Sequence, residues 1–109
     1  MADLRVSVQE KGEGRYEIVV AGEMTAETAG QFSEEVLQVL EQKPRCMELD
    51  LGRVSYVASP GLGALVSLLR KVRQLGGELL VRCMSPEVKE IFTVTHLDRI
   101  FAQVDSTPC

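Results

Sequence analysis

The chain has 109 residues, of which 45% are hydrophobic and 26% charged, a balance that excludes a disordered segment and fits one globular domain with a single core. With 16 acidic against 12 basic residues the formal charge is -4, so no chain-wide positive field draws nucleic acid or an anionic membrane surface. No run approaches the roughly 18 apolar residues of a membrane span, and Met1-Ala2-Asp3-Leu4-Arg5 opens no signal-peptide core, so a cytoplasmic location without membrane insertion is expected.

Leu4, Val6 and Val8 alternate with polar neighbours, and beyond Gly12-Glu13-Gly14 the run Tyr16 to Val20 continues to Gly22; the pattern predicts a β-hairpin. From Ala26 to Gln42 the apolar residues Ala29, Phe32, Val36, Leu37 and Leu40 recur at helical spacing, with Thr25 as the expected N-cap and Lys43-Pro44 as the stop. Cys46 to Leu51 reads as a short strand, with Val54 to Val57 following a break at Gly52. A second helix is predicted from Pro60 to Leu75, apolar at Leu62, Leu65, Val66, Leu69 and Val72, and ended by Gly76-Gly77. Glu78 to Cys83 then forms a strand, and Ser85-Pro86-Glu87 starts a third helix with Val88, Ile91 and Phe92 on one face. Ile100, Phe101 and Val104 are expected to close the core. Helices alternating with strands after an opening hairpin give an α/β fold, a mixed sheet with helices gathered on one face.

Cys46, Cys83 and Cys109 are odd in number, far apart and without CxxC spacing, which argues against a disulfide framework or a metal site. Cys46 and Cys83 read as core thiols and Cys109 as an incidental terminal residue. No cofactor signature is present: Gly61-Leu62-Gly63 lacks the GxxxxGK[ST] lysine of a phosphate-binding loop.

The most informative stretch is Val57-Ala58-Ser59-Pro60-Gly61-Leu62-Gly63, where a strand runs into a helix through a serine. A hydroxyl there sits beside unpaired helix N–H groups and the positive end of the macrodipole, a favourable place for an added phosphate. The ordinary reading of Ser59 is an N-cap with Pro60 at the first helical position. Gly61 and Gly63 read equally well as close packing of the helix start or as room for a partner backbone. No catalytic residue is assigned, because Ser59-Pro60-Gly61 does not supply the GxSxG elbow of a hydrolase and His96, the single histidine, reads as a solvated or capping residue at a helix end.

With the Glu48 to Leu51 strand before it, Gly76-Gly77 after it, Gly22-Glu23-Met24 opening the first helix and Ser85 to Phe92 in the third, this stretch resembles the anti-sigma factor antagonist or STAS domain family over nearly the whole chain. The resemblance implies a single STAS domain over residues 1–109, with a four- or five-stranded mixed sheet and helices mainly on one face. It further implies a non-enzymatic regulator: the unmodified antagonist binds an anti-sigma serine kinase and frees a sigma factor, phosphorylation of the loop serine turns binding off, and a serine phosphatase is a further partner. Ser59 aligns with the phosphoacceptor, and the implied partner contacts are Glu23, Met24, Thr25, Ala58, Ser59, Pro60, Gly61, Leu62 and Gly63. The family usually carries aspartate before the acceptor and serine or threonine after it, where this chain has Ala58 and Pro60, and Thr25 stands where aspartate is common. Ala58 removes a carboxylate, and Pro60 removes an N–H while biasing Ser59 toward extended backbone. A second reading therefore stands beside the first: a STAS interaction module in a multiprotein sensor or transporter complex that uses the same surface without phosphorylation.

Overall fold

The alternation of apolar and polar residues in the first 24 positions produces two paired strands, and everything that follows is laid beside them. The computed structural model describes residues 3–103. In chain order the elements are β1 (Leu4–Gly12), β2 (Arg15–Met24), α1 (Ala29–Leu40), β3 (Cys46–Val57), α2 (Ser59–Gln74), β4 (Glu78–Met84), α3 (Pro86–Val94), a 3₁₀ turn (Leu97–Arg99) and the two-residue β5 (Ala102–Gln103). The strands lie in the order β1-β2-β3-β4-β5. β1 and β2 are antiparallel across a turn in which Gly12, Glu13 and Gly14 all have positive φ, and the later pairs are parallel.

Because the sheet grows in one direction from β2, successive crossovers of the same hand put α1, α2 and α3 on the same face. That face carries Ile18 and Val20 of β2, Met47, Leu49 and Leu51 of β3, and Leu79 and Val81 of β4, all buried against Phe32 and Val36 of α1, Leu65, Leu68 and Val72 of α2, and Val88 and Phe92 of α3. Alternate residues point to the other face, where Glu17 pairs with Lys11 and Arg82, and Arg15 pairs with Glu48. Phe101 is buried with its ring 5.4 Å from that of Phe92, whereas Ile100, expected in the core, is 42% exposed. Val104 and Cys109 lie outside the described residues.

Several boundaries differ from the sequence expectation for local reasons. α1 begins at Ala29 instead of Ala26, because Thr25 to Thr28 form a turn closed by the Ala29 N–H to Thr25 carbonyl bond of 2.9 Å. Gly22-Glu23-Met24 ends β2 instead of opening α1. β3 runs unbroken through Gly52, whose N–H donates to the Asp50 carboxylate at 3.0 Å, and the irregularity is absorbed as register shifts against β2 and β4. Leu37, placed on the apolar face by its spacing, is 48% exposed, and Val39 is buried in its stead. Cys83 is buried in β4 and disulfide-bonded, so the reading of it as a core thiol is corrected; cysteine parity and spacing do not fix which thiols meet in space. Cys46 is a half-buried free thiol, and burial together with the carboxylates of Glu48 and Glu78 pushes its pKa up, opposed by Arg15. No helix among the described residues is long and apolar enough to cross a membrane.

Candidate functional site

The ends of β2 and β3 lie side by side, with Glu23 opposite Tyr56 and Met24 opposite Val57. Pairing continues one residue past the end of β3, where the Ala58 N–H donates to the carbonyl of Met24, the last residue of β2, at 2.8 Å. Ala58 is extended (φ -86, ψ 171), and its own carbonyl accepts the first helical bond, from the Leu62 N–H at 3.0 Å. Ala58 is thus the N-cap residue, Ser59 the first helical residue and Pro60 the second. This differs from the cap expected of Ser59: the β2–β3 pairing holds Ala58 extended and makes its carbonyl the first acceptor, so the helix starts one residue earlier than Pro60 alone suggests.

The Ser59 hydroxyl consequently makes no cap hydrogen bond, and Ser59 is exposed. The comparison inside the molecule is Ser85, also followed by proline at a helix start. Its hydroxyl accepts from the Val88 N–H at 3.1 Å and donates to the Val54 carbonyl at 2.5 Å, and the residue is buried. One serine is consumed by folding and the other is left facing solvent. Around Ser59 the N–H groups of Ser59 and Gly61 have no carbonyl four residues back within the helix, and no acidic side chain occupies the first turn. The basic residues Lys71 and Arg73 lie in the last turn, which suits the dipole.

The two glycines separate cleanly. A Cβ on Gly61 would stand 2.8 Å from the Met24 Cβ and 2.9 Å from the Met24 carbonyl oxygen, so Gly61 is required for the helix to seat on β2. A Cβ on Gly63 would meet nothing within 4 Å, and Gly63 is exposed. Met24 is fully buried. Met24 and Gly61 therefore position the site from beneath and do not present contacts to a partner, a correction to the surface that the resemblance implied. Glu23, Thr25, Ala58 and Leu62 are half-buried, and Ser59, Pro60 and Gly63 are exposed.

The β2–α1 turn flanking this surface is held by its two threonines. The Thr28 hydroxyl donates to the Glu23 carbonyl at 2.6 Å and accepts from the Thr25 N–H at 2.9 Å, while the Thr25 hydroxyl accepts from the Glu27 N–H at 3.2 Å. The Thr25 side chain bonds within this turn and does not cap α1. Sequence reading overlooked Tyr56, which is 51% exposed next to Glu23 at the end of β3; an aromatic at a solvent-facing strand position was the available signal.

His96 is exposed, sits in left-handed backbone (φ 63) after α3, and makes no side-chain hydrogen bond to Ser59. Among the described residues no cluster of three or more His, Cys, Asp or Glu side chains is placed to hold a metal ion.

The STAS domain family matches residues 7–108. The anti-sigma-B factor antagonist of Listeria monocytogenes is 34% identical over 100 residues, covering 90% of this chain and 86% of that protein. Among solved structures, an anti-sigma factor antagonist from Mycobacterium paratuberculosis superposes with a TM-score of 0.83 at 23% identity, over 95% of this chain and 87% of that one. The Bacillus cell fate determinant SpoIIAA in its phosphorylated form superposes with a TM-score of 0.71 at 16% identity, over 94% of this chain and 93% of that one.

Proposed function

This chain belongs to the STAS domain family, and on that footing we propose that it is an anti-sigma factor antagonist controlled at Ser59. Unmodified, it binds an anti-sigma serine kinase and frees a sigma factor; phosphorylation of Ser59 by that kinase ends binding, and a serine phosphatase restores it. The observation that carries the reading is the hydroxyl of Ser59, exposed at the start of α2 and free of the capping bond that would give it a purely structural role. The similarity to the Listeria antagonist supports the class of partner. These partners act in the cytoplasm, where we place the protein.

The physical basis of control is local. A phosphate on Ser59 adds a charge of about -1.5 to -2. The dipole and the unpaired N–H groups of the first turn tolerate it, so the fold persists. A partner packed over Ser59, Pro60, Leu62 and Gly63, with Tyr56 alongside, would instead have to desolvate that charge. The open space over Gly63 leaves room for a partner backbone to approach closely.

Titration of the purified anti-sigma factor with wild type, Ser59→Ala and Ser59→Asp tests this directly. Wild type and Ser59→Ala bind alike and Ser59→Asp binds at least about tenfold more weakly; equal binding by Ser59→Asp would sink the proposal. The absence of aspartate at position 58 and the loss of an N–H at Pro60 favour the second reading, a STAS module in a sensor or transporter assembly that docks through the same surface without modification. Partner binding that persists with no phosphate transfer to Ser59 would select it.

A further inference from the structure

Beyond its first turn, α2 carries a second surface feature. Two hollows lie along its solvent side, where it faces the end of α3 and the 3₁₀ turn. One is bounded by Leu62, Val66 and Leu97 and the other by Val66 and Ile100, and both include Arg70. Sharing Val66 and Arg70, they form one groove that runs from Leu62 to Arg73, three turns or about 16 Å of helix. Leu62, Val66 and Arg70 follow one i, i+4 ridge of α2, the kind of row against which another helix packs. Ile100 is 42% exposed at the far end, so the groove is apolar and uncovered.

Its charged groups, Arg70 and Arg73, are of one sign. No acidic side chain lines either hollow among the described residues. The Arg73 guanidinium donates to the Ile100 carbonyl at 3.0 Å, which ties the chain after the 3₁₀ turn to α2 and fixes the groove's width. Arg70 is exposed and has no hydrogen bond or ion pair among the described residues. On a chain with a formal charge of -4, a free guanidinium over an apolar floor is a local exception to the overall field, and the complementary occupant is acidic as well as apolar.

The geometry points to this groove as the docking site for an acidic amphipathic helix of the anti-sigma partner, about three turns long. Its apolar stripe covers Leu62, Val66 and Ile100, and one of its carboxylates pairs with Arg70. The inference rests on the antagonist reading above and extends it, because Leu62 and Gly63 belong both to the Ser59 surface and to the near end of the groove. Ser59 and Arg70 are about 16 Å apart along the helix axis, roughly twice the screening length at physiological salt. A phosphate on Ser59 therefore leaves the Arg70 charge available, so control at Ser59 and grip at Arg70 are separable.

Two probes test it on the full chain: the purified anti-sigma factor, and a synthetic helical peptide of about 14 residues with leucines spaced i, i+4, i+7 and glutamates beside them. The acidic peptide shifts the amide resonances of Leu62, Val66, Arg70, Leu97 and Ile100, and a peptide with lysines in place of the glutamates does not. Arg70→Glu weakens both the peptide and the anti-sigma factor by about tenfold or more, while Arg70→Lys retains most of the affinity; the exposed, unpaired position leaves folding unchanged in both variants. The groove assignment is overturned if the acidic peptide leaves those resonances unmoved, or if Arg70→Glu binds the anti-sigma factor as wild type does. Peptide binding in the groove with no anti-sigma binding by wild type would retire the antagonist reading and keep the acidic-helix site.

Discussion

Replacing Gly61 with alanine perturbs the contact that seats α2, and the structure fixes the sign of the effect. The new Cβ would lie 2.8 Å from the Met24 Cβ, 2.9 Å from the Met24 carbonyl oxygen and 3.0 Å from Val57 Cγ1. Ordinary carbon contacts are about 3.5–4.0 Å, so nearly an ångström of movement is needed. Neither Met24 atom can rotate away: one is the first side-chain carbon, and the other accepts the Ala58 N–H at 2.8 Å. Overpacking of this kind costs about 1–3 kcal/mol, and alanine's advantage over glycine inside a helix returns about 1 kcal/mol or less. With neither Met24 atom free to give, the cost falls in the upper part of that range, about 2–3 kcal/mol, and the net expectation is a loss of about 1–2 kcal/mol, or about 4–16 °C in Tm for a domain of this size. Gly63→Ala, where a Cβ meets nothing, keeps the helix gain alone and stabilises by about 0.5–1 kcal/mol. Urea unfolding of wild type and both variants, with a common m-value, measures the pair. A Gly61→Ala protein as stable as wild type would refute the packing argument.

Three further outcomes follow from the same geometry. Ser85→Ala removes a buried cap that also donates to Val54 and should cost about 1–3 kcal/mol in chemical denaturation, whereas Ser59→Ala should change stability by less than about 0.5 kcal/mol; a comparable loss for both would contradict the assignment of α2's cap to Ala58. Ser59→Asp should unfold no more easily than wild type and gain up to about 1 kcal/mol from the helix N-terminus, and a clear destabilisation would show that the first turn does not accept an anion. Cys46, whose neutral form is favoured by burial and by Glu48 and Glu78, should form thiolate only above the ordinary thiol range. Its alkylation at pH 8 should therefore run slower than that of a free cysteine, and Glu48→Gln should accelerate it; unchanged kinetics in that variant would remove the electrostatic cause.

The helices and strands were legible in sequence wherever a single periodicity governed, as in β1, β2, α2 and α3, and the Ser85-Pro86 start was read correctly because its cap is local. What escaped depended on contacts distant in sequence. Ser59 and Ser85 stand in the same Ser-Pro context, yet only Ser85 caps, because pairing of Ala58 with Met24 moves the start of α2 back by one residue. The placement of Met24 and Gly61 beneath the site follows from the same β2–β3 register, which no local motif encodes. α1 starts late because Thr28 bonds the Glu23 carbonyl five residues back, a use of threonine that competes with the cap expected of Thr25. Leu37 matched the helical period but lies past the edge of the buried stripe, where Val39 is taken by the core. Of the residues that the resemblance to STAS domains implied as partner contacts, burial sets Met24 and Gly61 beneath the surface and leaves Ser59, Pro60 and Gly63 facing outward.

The central claim is that Ser59 is a modifiable hydroxyl on an otherwise folded surface, and intact-mass analysis tests it most directly. Wild type and Ser59→Ala are each incubated with the anti-sigma serine kinase and ATP, and the product is mapped by peptide fragmentation. The account predicts one added phosphate on wild type, located at Ser59, and none on Ser59→Ala. Phosphate carried equally by both proteins, or none on wild type in the presence of a kinase that binds it, would contradict the claim.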